Sequence, residues 1–89
     1  MRRAARIDST QREIVSDLRK LGATVQPLHT VGGGVPDLLV GWKGLNWLVE
    51  CKSKGKGLNE LQKTWHADWR GSVIVATDVE TIMAVIREG

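Results

Sequence analysis

The strongest constraint on the fold comes from two short apolar segments on either side of a turn sequence. The segments read VPDLLVGW and LNWLVECK, and they are too short and too rich in Val and Trp to favour helices. Lys43, Gly44 and Asn46, which fall between them or at the start of the second, are turn formers. We therefore predict two antiparallel strands that form a hairpin around Gly44.

The register of this hairpin decides where three charged side chains point. Side chains alternate between the faces of a strand, so Glu50 and Lys52 share one face and Cys51 takes the other. One turn register puts Asp37 opposite Lys52. A two-residue turn at Lys43-Gly44 instead puts Asp37 opposite Glu50. Both registers bring the three charges to one face, whereas a slip by one residue would separate them.

Charged groups inside a sheet need compensation. An ionised carboxylate there costs several kcal/mol unless it is paired, hydrogen-bonded or bound to a metal. One explanation is an ion pair between Lys52 and either Glu50 or Asp37 on a solvated face. The other is a divalent-metal site that cleaves a phosphodiester, and the surrounding sequence favours this second explanation.

The rest of the chain predicts a frame for the hairpin. A capping-box pattern at 10–13 starts a first helix that ends at Gly22, and Pro27 indicates an edge strand or its end. A second capping pattern at 59–62 starts a helix in which we expect Trp65 and Trp69 to lie mainly in the core. SVIVA predicts a short buried strand before a last helix. The predicted order is α-β-β-β-α-β-α.

Length and composition favour a single domain, 1–89, in which residues 1–9 form a basic N-terminal segment that could be flexible. No apolar run approaches the length of a membrane span, so no membrane partner is expected. Cys51 is the sole cysteine, which argues against a disulfide scaffold or a cysteine zinc site and favours a cytoplasmic protein. His29 and His66 are too far apart for a local metal motif. We expect no organic cofactor.

Basic residues cluster at two places in a chain whose net charge is only +3. Arg2 and Arg3 lie at the start, and Lys54 and Lys56 continue an alternation that begins at Lys52. We predict that Lys54 and Lys56 contact nucleic-acid phosphates. For Arg2 and Arg3 the same role is predicted, although a solvated segment explains these arginines alone better.

Three consecutive glycines precede Asp37. Glycine lets the backbone turn sharply or come close to a ligand, so Gly33 and Gly34 are candidate phosphate contacts. A flexible connection explains them at least as well. The segment is not a Walker loop, because no Gly-Lys-Ser/Thr sequence follows it.

These motifs together resemble a known family. Pro36-Asp37, with Glu50-Cys51-Lys52 thirteen residues beyond the aspartate, resembles the PD-(D/E)XK nuclease signature. The wider pattern adds a Lys/Gly-rich loop, Gln62 and the later run Gly-Ser-Val-Ile-Val, and it resembles the VRR-NUC (virus-type replication-repair nuclease) branch from Thr10 onward. The resemblance implies an α/β, restriction-endonuclease-like core with a mixed four-stranded sheet flanked by helices. The short length suggests a stand-alone, phage-like form, which would act in the host cytoplasm.

The resemblance also implies roles for individual residues in a Mg²⁺- or Mn²⁺-dependent deoxyribonuclease. Asp37, Glu50 and the backbone carbonyl of Cys51 would be metal ligands, which suits a cation that prefers oxygen. Lys52 would position or help to deprotonate the attacking water. Gln62 would orient substrate or water, or would serve only as a helix cap.

Several alternatives remain open. Glu13 matches an acidic metal ligand of many superfamily members, and it equally completes the capping box of the first helix. Stand-alone relatives look like homodimers that resolve Holliday junctions, so branched DNA and a second copy are expected partners. Trp42 and Trp47, expected to be exposed, or the first helix would form the interface. The alternatives are a nuclease for flaps or other DNA structures and a catalytically silent nucleic-acid-binding module, which the intact acid pair argues against.

Overall fold

The order of helices and strands agrees with the sequence prediction. The computed structural model describes residues 8–89, so the predictions for Arg2 and Arg3 lie outside the described residues. The elements are α1 (Ser9–Lys20), β1 (Thr24–Pro27), β2 (Leu38–Trp42), β3 (Leu45–Cys51), α2 (Glu60–Asp68), β4 (Val73–Ala76) and α3 (Val79–Ile86). None of the helices in this part of the chain is both long and apolar enough to cross a bilayer.

The four strands form one mixed sheet in the order β1-β2-β3-β4. β1 pairs with β2 and β2 with β3 in antiparallel fashion, whereas β3 and β4 are parallel. A parallel pair needs a long crossover, and α2 is part of it. The predicted α/β class and mixed four-stranded sheet are therefore confirmed.

The hairpin has the two-residue turn that the sequence allowed. Trp42 pairs with Leu45, which leaves Lys43 and Gly44 as the turn with φ angles of 49° and 82°. Positive φ at both positions is the geometry that suits the twist of a tight hairpin. Leu38 pairs with Val49, so the register places Asp37, the residue before β2, opposite Glu50.

One face of the sheet, called here the core face, packs against α1 and α3. Its strand residues Leu38, Val40 and Val49 are 0% exposed, and Cys51 is buried beside them, as the alternation of side chains predicts. The helices contribute the buried side chains Ile14, Leu18, Ile82, Met83 and Ile86. This layer supplies the hydrophobic core of the domain.

The first helix begins earlier than predicted. Asp8 is its N-cap, and the Asp8 carboxylate accepts a hydrogen bond of 2.9 Å from the backbone N–H of Gln11. The capping box expected at 10–13 is therefore wrong, and the end of the proposed basic segment belongs to the helix and its cap. Gly22, at φ 101°, ends the helix in a Schellman motif in which Ala23 donates to the carbonyl of Leu18 at 3.0 Å.

The opposite face, called here the open face, carries Asp37, Leu39, Leu48, Glu50 and Val75. The nearby helix α2 has no buried residue, and it follows that the expectation of core tryptophans in α2 is wrong. Helical spacing shows that side chains share a side of a helix but not how deeply that side is covered, and α1 and α3 already enclose the core. Val75 is likewise 45% exposed in the strand predicted to be buried.

The two hairpin tryptophans also differ from expectation. Trp42 and Trp47 are partly buried and pack against the core cluster instead of standing exposed. Their positions alternate with Gly41 and Asn46, so they share the face of Val40 and Val49. They are consequently poor candidates for an interface with a second copy.

Candidate active site

Glu50 is the buried acid at the centre of the site. It lies near the end of β3 on the open face and is 2% exposed. Its Oε2 atom accepts a hydrogen bond of 3.2 Å from Gln62 Nε2 and lies 3.7 Å from Lys52 Nζ. Its Oε1 atom is also buried, but no hydrogen-bond donor in residues 8–89 reaches it. A buried oxygen without a donor is costly, which indicates that this carboxylate is shaped for another partner.

Asp37 stands beside Glu50 because the hairpin register brings them together. One Asp37 oxygen accepts a hydrogen bond of 2.9 Å from the backbone N–H of Cys51. The next N–H, that of Lys52, points the other way and donates to Ala76 in β4 at 2.9 Å. Because the N–H and C=O of one strand residue project to the same side, the Cys51 carbonyl is directed toward the Asp37 side of β3.

Burial and the neighbouring Asp37 change the protonation of Glu50. Burial raises the pKa of Glu50 from 4.5 to about 8, and the charge of Asp37 and a hydrogen bond with Asp37 act in the same direction. Lys52 lowers the pKa of Glu50, but its effect is smaller than the effects of burial and Asp37. The metal-free site therefore keeps a proton on the carboxyl pair at neutral pH.

Gln62 connects α2 to this pair of strands. Its Oε1 atom accepts hydrogen bonds from Lys52 Nζ at 2.7 Å and from the backbone N–H of Asn59 at 2.9 Å. The Asn59 side chain in turn accepts from the backbone N–H of Gln62, which completes a capping box. The two explanations offered for Gln62 are thus compatible, since one side chain both caps α2 and contacts Glu50 and Lys52.

The donor set at the site fits a hard divalent cation. Asp37 and Glu50 offer carboxylate oxygens, no donor from Asp8 onward reaches Glu50 Oε1, and the Cys51 carbonyl is directed to the same side. Mg²⁺ and Mn²⁺ prefer such oxygen ligands and keep several waters, so two carboxylates are a sufficient protein contribution. Within residues 8–89, no cluster of three or more His, Cys, Asp or Glu side chains is suited to a metal.

Glu13 lies away from this pair. Its side chain is exposed and lines a groove between α1 and α3 together with Asp17, Asp78 and Glu80. It forms neither the predicted capping box nor a cluster with Asp37 and Glu50. The structure therefore gives Glu13 no contact with the candidate site.

The predicted phosphate contacts occupy different positions. Lys54 and Lys56 are exposed in the loop after β3, and Lys56 lines a polar pocket with Lys52 and Ser53. Gly34 faces α2, where an added Cβ would collide with the carbonyl of Leu61. Gly33 is exposed, and its position leaves open space for a Cβ.

His66 is a neighbour of the site that the sequence did not single out. Its Nε2 atom is buried and has no hydrogen-bond partner in the described part of the chain. Burial, followed by the charge of Lys52, lowers the pKa of its imidazole. The sequence feature that could have identified His66 is its position one helical turn after Gln62, because this spacing puts both side chains on one side of α2.

Comparisons with known proteins agree with the fold. No family model matches the chain, and no curated protein does so either. A solved structure described as a VRR_NUC domain is similar to it with a TM-score of 0.68 and 27% sequence identity. The alignment covers 88% of this chain and 90% of that chain, so the likeness extends over the whole fold. This match confirms the resemblance to a VRR-NUC domain noted from the sequence.

Proposed function

We propose that this chain is a metal-dependent DNA endonuclease that hydrolyses phosphodiester bonds in a structure-selective manner. The likeness to a VRR_NUC domain supports a nuclease. The observation that carries the metal dependence is the buried Oε1 atom of Glu50, which meets no donor in residues 8–89 and belongs to a carboxyl group beside Asp37.

The proposed metal ligands are Asp37, Glu50 and the backbone carbonyl of Cys51. When bound, Mg²⁺ or Mn²⁺ would supply an acidified water and stabilise negative charge that develops at phosphorus. Glu50 must first lose the proton that it holds at neutral pH, so cation binding releases a proton. The hydrogen bond from the Cys51 N–H keeps Asp37 oriented toward β3.

Lys52 is the proposed catalytic residue with a positive charge. Gln62 holds the Lys52 ammonium at 2.7 Å, close to Glu50 but not in full contact with it. A positive group held in this way can position the attacking water and offset charge on the phosphoryl oxygens. Gln62 positions both Lys52 and Glu50, and the same amide could orient substrate.

DNA is the proposed polyanionic partner. Lys54 and Lys56 follow the catalytic strand directly and are exposed to solvent, so phosphates on one side of the cut would meet them. Gly33 and Gly34 are proposed backbone contacts near Asp37, and Arg2 and Arg3 would add charge. A homodimer would present two sites symmetrically to a Holliday junction, which is the proposed substrate.

Cleavage assays test the proposal directly. Junction, flap and duplex DNA are incubated with Mg²⁺ or Mn²⁺ and the wild type, Asp37→Ala, Glu50→Ala or Lys52→Ala. Each variant should cut at least on the order of 10²–10³-fold more slowly, as expected for loss of a preorganised charge at the reacting centre. Asp17→Ala, an acid outside the site, is the matched control. Equal cleavage by wild type and Glu50→Ala would contradict the proposal.

Three further measurements test separate parts of the proposal. Glu13→Ala reports whether that residue is a ligand, and unchanged activity would remove it from the site. Calorimetric titration with Mn²⁺ should show binding to the wild type that Glu50→Gln loses, independently of activity. Sedimentation of a monomer, or cleavage confined to flaps, would contradict a junction-resolving dimer, and DNA binding without any cleavage would favour the silent binding module.

A further inference from the structure

An apolar groove lies on the open face beside the carboxylates. Its volume is about 420 Å³, which is in the size range of small-ligand sites. Leu39 and Leu48 form its floor on the sheet, and Trp69 lines it from the end of α2. Polar groups enter at Asn46 and Ser72. The groove thus combines a flat apolar surface with a few hydrogen-bonding groups.

Trp69 is held in place although it is 46% exposed. Its ring stacks on Trp65 with a centroid separation of 4.7 Å and an interplanar angle of 18°. Its indole edge also lies against Gly71, where an added Cβ would be 2.8 Å from Nε1. An aromatic ring that is both fixed and exposed loses little freedom when a ligand stacks on it.

The position of the groove relates it to the carboxylates. Leu39 pairs with Leu48, and two residues further along the hairpin Asp37 stands opposite Glu50. Two residues along a strand span about 7 Å, so the groove is adjacent to the site on the scale of one nucleotide. The loop after β3 carries the exposed Lys54 and Lys56 and is called here the lysine loop. It lies on the side of the carboxylate pair that is away from the groove. A bound strand could therefore cross the groove, the carboxylates and the lysine loop in that order.

We infer that the groove receives an unstacked nucleobase from the nucleotide that flanks the scissile phosphate. This inference rests on the proposed nuclease function and deepens it. Every base has an apolar face that can stack on Trp69 and lie over Leu48, and a polar edge that Asn46 or Ser72 can meet. Base stacking must first be lost in the DNA, which costs least where the strand is unpaired or branched. The groove would thus help to select branched DNA over continuous duplex.

Binding in the absence of metal tests the groove without relying on cleavage. Two gapped duplexes are compared by fluorescence anisotropy, one with a single unpaired thymidine and one with an abasic residue at the same position. The wild type should bind the thymidine duplex about tenfold more tightly, within the range for stacking on one aromatic side chain. Trp69→Leu should lose this preference and Trp69→Phe should keep part of it. Leu61→Ala, which changes another exposed apolar residue of α2, should keep all of it.

A second measurement needs no variant. A gapped duplex with 5-iodouracil as the unpaired base is irradiated with the wild-type protein, and the crosslinked tryptic peptide is identified. Crosslinking to peptide 64–70, which contains Trp69, supports the inference. Crosslinking only elsewhere, or equal preference ratios in wild type and Trp69→Leu, would overturn it. If Trp69→Leu changes the sedimentation of the protein but leaves the ratio of its affinities for the two DNAs unchanged, the groove is a protein contact. That result would also overturn the inference. Because both measurements omit metal, failure of the nuclease proposal would appear separately, as absence of cleavage.

Discussion

The two faces of the sheet differ more than any other two regions of the molecule. The core face is apolar and packs against α1 and α3, and its central residues Leu38 and Val49 are 0% exposed. The open face carries the buried Glu50 beside the half-buried Asp37, and an apolar groove near α2, a helix with no buried residue of its own. The same strands serve both faces, because successive side chains alternate. We infer that stability resides mainly on one face and the proposed chemistry on the other.

The largest expected effect tests where stability resides. Leu38→Ala on the core face should lower the free energy of unfolding by about 2–5 kcal/mol, because it removes a fully buried side chain and leaves a cavity. Leu61→Ala on α2 should change it by less than about 0.5 kcal/mol, since that side chain is 65% exposed. Urea denaturation of both variants measures the difference. Similar losses would mean that α2 contributes to the core more than its exposure indicates.

The next prediction concerns how much the buried Glu50 side chain destabilises the metal-free protein. Glu50→Gln should stabilise the metal-free protein at neutral and alkaline pH, because the folded state raises the pKa of Glu50 from 4.5 to about 8. Below the lower value Glu50 is protonated in both folded and unfolded chains. As the pH rises from 4.5 to about 8, the unfolded chain loses a proton that the folded chain keeps, so wild-type stability falls relative to the variant.

The size of that difference should level off above the higher pKa, at on the order of 3–5 kcal/mol, since each unit of pKa change corresponds to about 1.4 kcal/mol. Urea midpoints of wild type and Glu50→Gln, measured with a chelator near about pH 5, 7 and 9, provide the test. A gap that stays constant over this range would show that Glu50 is not protonated in the folded protein.

A smaller effect tests how α2 is attached to the open face. Gly34→Ala and Gly33→Ala each place an alanine at positive φ, 86° and 67° respectively, which costs about 1–2 kcal/mol in both cases. Only the Cβ at position 34 would also collide with the Leu61 carbonyl of α2. Gly34→Ala should therefore lose about 1–3 kcal/mol more in urea denaturation, the usual range for overpacking. Equal losses would show that the contact with α2 relaxes freely.

The sequence predicted the carboxyl pair because strand alternation and turn chemistry are local. Asp37, Glu50 and Lys52 could be placed on one face from the hairpin alone, and the structure selected one of the two registers considered. The environment of α2 was not predictable in this way. Trp65 and Trp69 share a side of their helix, but exposure depends on which face of the sheet the crossover covers. The predicted capping box of Glu13 failed because α1 begins at Ser9 with Asp8 as its N-cap, and a capping pattern alone does not fix the first residue of a helix.

The smallest predicted change in stability comes from replacing either of two helix caps of the same kind. Asn59 caps α2 and Asp78 caps α3, each by accepting a hydrogen bond from the backbone N–H three residues later. Replacement of either by Ala should cost about 1 kcal/mol of stability. Only Asn59→Ala should also slow DNA cleavage, on the order of tenfold, because the start of α2 carries the Gln62 amide that holds Lys52 and Glu50. If both variants cleave DNA equally well, α2 does not need its cap to position the site, and the polar contacts of Gln62 alone must be sufficient to hold that helix on the open face.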